Sequence, residues 1–147
     1  MRRRFSEKII TDLKDDQVNG GAEWFGSRDL KPLKLTKKSD FMQSFNLNLV
    51  SATEIIKSLA DNLKASKGSI VLFSTVAVQQ GFPNHAIVSS AKGAVEGLTL
   101  ALAAEYAPNI RVNCIAPSLT NSKISNFLLK NEKMAESIAK MHPLKRI

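Results

Sequence analysis

A chain of 147 residues, 44% of them apolar, is long enough to bury one hydrophobic core, so disorder of the whole chain is not expected. The net charge of +8 invites a nucleic-acid interpretation, but the lysines are scattered and only residues 2–4 form a tight basic block. We therefore expect a solvated basic surface and no nucleic-acid partner.

The cysteine content and the apolar runs indicate the compartment. Cys114 is the single cysteine, and its apolar surroundings, "IRVNCIAP", predict a small buried residue and no disulfide, as in a reducing cytosol. No uninterrupted apolar run approaches the roughly 18 residues of a membrane span, and "MRRRFSEKII" lacks the apolar core of a signal peptide. We expect a cytoplasmic protein without a membrane partner.

The first predicted helix follows a stretch without periodicity. Residues 1–35 are polar and predict irregular structure. From Thr36 onward, apolar residues recur at three- and four-residue intervals to about residue 63, which predicts a helix with Thr36 or Ser39 as N-cap. Gly68 suits a left-handed C-terminal cap.

Two apolar segments and a helix come next. Residues 69–75, "SIVLFST", predict a parallel strand covered on both faces, and 76–84 predict a loop ending in Asn84 as N-cap. Residues 85–107 predict a helix, and 110–116 predict a second buried strand. The expected core positions of the helix are Ile87, Ala91, Ala94, Leu98 and Ala101.

The order of these elements gives the fold class. A last helix is predicted over residues 123–140, and two parallel strands joined through a helix form a βαβ unit. The class is α/β: a partial Rossmann-like, doubly wound parallel sheet with flanking helices, in a single domain over residues 1–147. Ligands of such sheets bind outside the carboxyl ends of the strands, which here means residues 74–75 and 117–122, with Lys92 facing the first.

The motifs around these strand ends resemble one family. "GSIVLFST", the helix and strand "VSSAKGAVEGLTLALAAEYAPNIRVNCIAPS" and the closing "HPLKRI" are similar to the second half of a short-chain dehydrogenase/reductase. The resemblance covers about residues 26–147. It implies a Rossmann fold that uses NAD or NADP on a small carbonyl or alcohol substrate.

The resemblance implies a site of Asn, Ser, Tyr and Lys. Asn48 matches the asparagine of a water-mediated proton relay, and Thr75 matches the serine that binds the substrate carbonyl, with Ser74 less favoured. Lys92 matches the lysine that holds the nicotinamide ribose. The residues at the family's other cofactor-binding positions are Gly26, Pro117, Ser118 and Ser122. As alternatives, Lys92 is a solvated helix lysine and Asn48 is a buried side chain that bridges helix turns.

Val88 occupies the tyrosine's place, four residues before Lys92, and valine neither donates nor accepts a proton. An aliphatic hydroxyl such as Thr75 or Ser89 has no useful acidity near neutral pH. His85 titrates in the right range and lies three residues before Val88, although a histidine beside an N-cap is more often a surface or capping side chain.

The family's opening strand, glycine-rich turn and helix are not found in the sequence. Gly20, Gly21 and Gly26 have the wrong spacing and follow no apolar strand. The chain therefore resembles a truncated domain whose cofactor-binding half is missing or replaced by a divergent segment, residues 1–25. The choice between NAD and NADP stays open because the residue that discriminates them belongs to that half.

Two hypotheses follow. The first is an NAD(P)-dependent oxidoreductase in which water or His85 replaces the missing acid. The second is a catalytically inactive homologue that forms a homo-oligomer through helices 39–65 and 85–107, whose apolar and small-residue faces suit contact between copies. A basic module that binds nucleic acid is the least favoured alternative.

Overall fold

The computed structural model describes residues 30–120 and 129–147. One compact unit spans Asp29–Ser118, and a second combines Met1–Arg28 with Leu119–Ile147. Irregular structure before residue 30, the Gly26 turn and Ser122 lie outside the described residues. The single domain over residues 1–147 stays a prediction.

The larger unit begins with a 3-10 turn, Leu33–Leu35, followed by extended backbone at Thr36 and Lys37. One continuous helical segment comes next, and it consists of helix α1 Lys38–Phe45, a π-helical turn Asn46–Val50 and helix α2 Ser51–Ala65. In the π-helical turn the Ser51 N–H donates to the Asn46 carbonyl, five residues back, which places one extra residue in the helix. The predicted helix is confirmed, and the π-helical turn was not predicted.

The predicted N-cap of this helix is wrong. Lys37 holds the position, and its backbone N–H donates to Asp40 Oδ2 at 2.7 Å. Thr36 turns its hydroxyl back to the Leu33 carbonyl instead. Lys31 Nζ lies 2.6 Å from the Asp40 carboxylate, and these two contacts, Lys31 first, hold the pKa of Asp40 below its usual value.

Gly68 is not the left-handed residue at the C-terminus. Lys67 takes that conformation, with φ +48°, and the Gly68 N–H donates to the Leu63 carbonyl at 2.8 Å in a Schellman arrangement. A Cβ on residue 68 would lie 2.8 Å from Leu63 Cδ2. Glycine here allows close approach to the Leu63 side chain, which would have to shift for a larger residue, and its backbone freedom is not used.

The sheet has two strands among the described residues. Strand β1 is Ser69–Phe73 and strand β2 is Arg111–Ile115, paired in parallel with Ser69 opposite Arg111 and Phe73 opposite Ile115. Each strand is two residues shorter than predicted, and the parallel pairing is confirmed. The α/β fold class is therefore confirmed as well.

Only one face of this sheet is covered, so the expectation of two covered faces is wrong for the residues that the structure describes. Side chains alternate between the faces of a strand, and Ile70 and Val112 point to the covered one. They pack with Ile56 and Leu63 of α2 and with residues 102, 103 and 106, so both long helices lie on the same face. On the other face Val71, Phe73 and Ile115 are 47%, 57% and 50% exposed.

Between β1 and the next long helix, the predicted loop contains a short helix α3, Ala77–Gln80. The Ala77 N–H donates to the Thr75 hydroxyl oxygen at 3.3 Å at its start. Gly81 ends it with φ +67°, a conformation that glycine adopts without strain. Thr75 and Gly81 thus turn part of the loop into a helical turn.

Helix α4, Ala86–Tyr106, agrees with the prediction to within one residue at each end. His85 holds the N-cap position, while Asn84, the predicted cap, has φ +67°. By length and composition alone α4 is also long and apolar enough to cross a membrane. Its core positions partly differ from those predicted, because Ala101 is exposed and the buried residues are Ile87, Ala91, Lys92, Val95 and Thr99.

In the second unit, helix α5 is Glu132–Met141. The Asn131 side chain accepts from the Met134 N–H at 3.2 Å and caps it. Asn131 itself has extended backbone, so the predicted continuous helix over 123–140 is wrong at this residue. Residues 121–128 lie outside the described part.

Candidate active site

The segments that follow β1 and β2 run side by side. The Ser74 N–H donates to the Ile115 carbonyl at 2.7 Å, and the Val76 N–H donates to the Pro117 carbonyl at 3.2 Å. The pairing of the strands therefore continues past their ends. As a result, Thr75 and Pro117 lie at the same edge of the sheet, where ligands of parallel sheets bind.

Lys92 lies at this edge. It is 7% exposed, and its Nζ donates to the carbonyl of Phe73, the last residue of β1, at 3.0 Å. Burial lowers the pKa of the Lys92 ammonium, and Cys114, half-buried and free of any disulfide, acts weakly in the opposite direction. The solvated-lysine alternative is wrong. The prediction of a buried Cys114 is also wrong, since its side chain is only half-buried.

The hydroxyls of Thr75 and Ser74 point to different partners. Thr75 is half-buried, and its oxygen accepts from the Ala77 N–H, which leaves the hydroxyl hydrogen to donate elsewhere. Ser74 is buried, and its hydroxyl donates to Glu96 Oε1 on α4 at 2.5 Å. Of the two, Thr75 has the hydroxyl suited to a substrate oxygen.

Asn48 lies in the π-helical turn, which packs against α4. Its amide nitrogen donates to the carbonyl of buried Ser44 at 2.9 Å, one turn earlier. The bridging role that the sequence left open is thus present. Whether Asn48 also serves a proton relay stays a prediction.

The candidate replacements for the missing tyrosine are held by other groups. Val88 is half-buried, one turn before Lys92. The Ser89 hydroxyl donates to the Ala77 carbonyl at 3.1 Å. His85 is outside the helix, with Nδ1 2.8 Å from the Pro83 carbonyl, so its ring is held toward the loop and not on the helix face of Val88.

The remaining predicted residues fall into two groups. Pro117 and Ser118 follow β2 at the site edge, where Ser118 is exposed. Gly26 and Ser122 lie outside the described residues. In the described ranges, no three His, Cys, Asp or Glu side chains are placed to bind a metal ion.

The sequence interpretation missed Glu96. Its position, one helical turn after Lys92 on the same face of α4, was the available signal. Lys92 binds the last residue of β1 and Glu96 binds the residue that follows it. The edge therefore combines a buried ammonium, a donor hydroxyl and an exposed loop, which together suit an anionic or hydroxylated ligand.

A family model described as enoyl-(acyl carrier protein) reductase matches residues 17–147. The chain belongs to the short-chain dehydrogenase/reductase family. The predicted resemblance and the Rossmann-type fold are thereby confirmed, and so is kinship with oxidoreductases.

Individual members of the family agree with this result. Carbonyl reductase [NADPH] 2 of the pig is 30% identical over 120 residues, which cover 80% of this chain and 49% of the pig protein. A glucose/ribitol-type short-chain dehydrogenase/reductase from Brucella melitensis superimposes with a TM-score of 0.75 at 29% identity, over 83% of this chain and 49% of that chain. The chain spans about half the length of the relatives it matches.

A further solved structure contains a cofactor. A 4-hydroxyisoleucine dehydrogenase mutant complexed with NADH and succinate superimposes with a TM-score of 0.69 at 28% identity, covering 78% of this chain and 48% of that chain. Nicotinamide cofactors are thus found among the members of this short-chain dehydrogenase/reductase family, in both the NADPH and the NADH form.

Proposed function

We propose that this chain is a nicotinamide-dependent oxidoreductase that acts on a small carbonyl or alcohol, with Lys92, Thr75 and Asn48 in its site. The observation that carries the proposal is the placement of the Lys92 ammonium, buried and bonded to the Phe73 carbonyl at the carboxyl end of β1. Burying a lysine ammonium costs free energy because the charge loses its hydration. Hydrogen bonds from the ammonium to the hydroxyl groups of a ligand would offset that cost.

The described residues fit the nicotinamide end of such a cofactor. Lys92 offers a donor for ribose hydroxyls, and Pro117 and Ser118 border the same edge. Gly26 and Ser122 complete the proposed cofactor contacts by resemblance. NAD and NADP are equally compatible with these residues.

The chain's own groups define the chemistry available. A bound nicotinamide supplies or accepts the hydride. The Thr75 hydroxyl hydrogen is placed to donate to a substrate oxygen, because the Thr75 oxygen already accepts from the Ala77 N–H. Val88 provides no acid, so the proton for a reduced carbonyl comes from water, and we expect turnover to be slow.

Calorimetric titration with NADPH and NADH tests the binding step. Lys92→Met should weaken binding at least about tenfold, as expected for the loss of a charged hydrogen bond. The stability of the fold should change little, because the Phe73 carbonyl loses a donor while the desolvation cost of the ammonium is removed as well. Lys64→Met removes the same charge from an exposed position of α2 and is the matched control. If wild-type protein binds neither dinucleotide at millimolar concentration, the proposal fails.

A second candidate function is binding without turnover, and the observation in its favour is Val88. The test is carbonyl reduction followed by nicotinamide absorbance, in wild-type protein and in Val88→Tyr. Tyrosine should raise the rate by about two orders of magnitude, the contribution of a positioned general acid. A wild-type rate equal to that of the variant would mean that another group is the acid, and His85→Gln would then identify or exclude the imidazole.

We further propose a cytoplasmic homo-oligomer whose contacts involve α1, α2 and α4. Leu100 on α4 is 74% exposed, which supports contact between copies. Sedimentation should show an oligomer that Leu100→Lys dissociates. A monomeric wild-type protein would contradict the assembly and leave the nicotinamide proposal intact.

A further inference from the structure

Glu96 is the one acidic side chain of the described residues that bonds to the end of β1. Its Oε1 accepts from the hydroxyl of Ser74 at 2.5 Å, and Ser74 is 5% exposed. A charged acceptor bound to a buried hydroxyl forms a stronger contact than a neutral pair does.

Consecutive residues at the end of β1 are each bonded to another element. The Phe73 carbonyl accepts from Lys92 Nζ, and the Ser74 hydroxyl donates to Glu96. The Ser74 N–H donates to the Ile115 carbonyl on β2. Ser74 is therefore the point where β1, β2 and α4 are joined. It lies between Phe73, which binds Lys92, and Thr75, whose hydroxyl belongs to the proposed site.

We propose that Glu96 is a positioning residue of the candidate site. Its carboxylate fixes the Ser74 hydroxyl, and through Ser74 it sets the separation of α4 from the strand end. That separation determines the distance between the Lys92 ammonium and the Thr75 hydroxyl. The inference rests on the proposed function only for what Lys92 and Thr75 bind, because the positioning itself is a property of the folded chain.

Three variants of the pair separate geometry from charge. Glu96→Gln keeps an acceptor oxygen for Ser74 and removes the charge, whereas Glu96→Leu removes the acceptor at similar volume. Ser74→Ala removes the other partner and should reproduce the effect of Glu96→Leu. Glu105→Leu, at an exposed position of the same helix, is the matched control.

The first readout is the pH titration of the Lys92 side chain, followed by the NMR shift of its ε-carbon. In Glu96→Leu the strand end loosens and water reaches Lys92, so the pKa of the ammonium should rise toward its ordinary value. In Glu96→Gln the pKa should stay as in wild-type protein. If Glu96 acted only through its charge, both variants would lower the pKa of Lys92, and that result overturns the proposal.

The second readout is NADPH binding. Glu96→Leu and Ser74→Ala should each weaken binding about tenfold, with no further loss in the double variant, while Glu96→Gln stays within about twofold. If the losses of NADPH affinity in the two single variants add up in the double variant, Glu96 and Ser74 do not act as a pair and the proposal is overturned. If wild-type protein binds no dinucleotide, the proposed function fails, and the Lys92 titration still decides the role of Glu96. If Glu96→Leu does not fold, Ser74→Ala and Glu96→Gln retain the comparison.

Discussion

The two faces of the β1–β2 sheet differ in burial although both carry large apolar side chains. Ile70 and Val112 are buried under α2 and α4, while Val71, Phe73 and Ile115 on the opposite face are about half exposed. Parallel strands are ordinarily buried on both sides, and β1 has the apolar residues on both faces that are typical of such strands. An apolar strand sequence therefore shows that both faces of the strand can be buried. It does not show that both faces are buried within one compact unit.

The same comparison separates stability from function. The covered face holds the core of the larger unit, whereas the site lies at the strand ends. Changes on the covered face should therefore act on the free energy of unfolding. The exposed face is the region where substitutions should be tolerated.

The largest effect is expected from a matched pair of isoleucine truncations. Ile70→Ala should lower the free energy of unfolding by about 3 kcal/mol, because Ile70 is 8% exposed and its loss leaves a cavity under the helices. Ile115→Ala, on the exposed face, should cost under about 1 kcal/mol. Urea denaturation measures both. Equal losses would mean that the face of Ile115 is covered in solution.

The next effect concerns the end of α2, where Leu63 joins the covered face. Gly68→Ala should destabilise by about 1 kcal/mol, because the new Cβ would lie 2.8 Å from Leu63 Cδ2 and the end of that flexible side chain would have to shift. The measurement is the thermal midpoint. The double variant Gly68→Ala with Leu63→Ala should relieve the clash, and if it gives simple additivity, another cause must explain the loss.

A smaller effect of opposite sign is expected one residue earlier. Lys67 has φ +48°, where a side chain is strained, so Lys67→Gly should stabilise the chain by about 0.5 kcal/mol or more. Lys64→Gly, within α2, should instead destabilise it by about 1 kcal/mol. Denaturation midpoints of the two variants that shift in the same direction would contradict the assigned cap.

The smallest effect concerns Asp40 in the first turn of α1. Lys31 and the Lys37 N–H hold the pKa of Asp40 below its usual value, so the folded chain binds fewer protons than the unfolded chain near that value. The stability from Asp40 is present above the usual carboxyl pKa and is lost as pH falls through the lowered one. Asp40→Asn should remove this part of the acid dependence, measured by urea midpoints against pH. Asp61→Asn, exposed on α2, should leave it intact.

Much of the fold was predictable because long periodic segments determine their own element type. The helices around 36–65 and 85–107 and the parallel strands were predicted from apolar spacing alone. The caps were not predicted, although Thr36, Gly68 and Asn84 are all suitable residue types. The contact with Asp40 places the first cap at Lys37, and the contact of Gly68 with Leu63 accompanies a left-handed Lys67. Lys92 was predicted at the strand end from the order of the elements, and its cofactor role came from the resemblance. Glu96 was missed because its partner, Ser74, lies 22 residues away in the chain.

The π-helical turn at Asn46–Val50 gives this helix tolerance of one change in length. The wide turn accommodates one residue more than a regular helical turn, so the segments on either side keep the faces that they would have in an uninterrupted α-helix. Deletion of one residue here would therefore restore a regular helix and leave Ile56 in the core that it shares with the sheet. The same deletion within α2 has no wide turn to absorb it, and it would rotate the residues on one side of it by roughly 100° relative to the other.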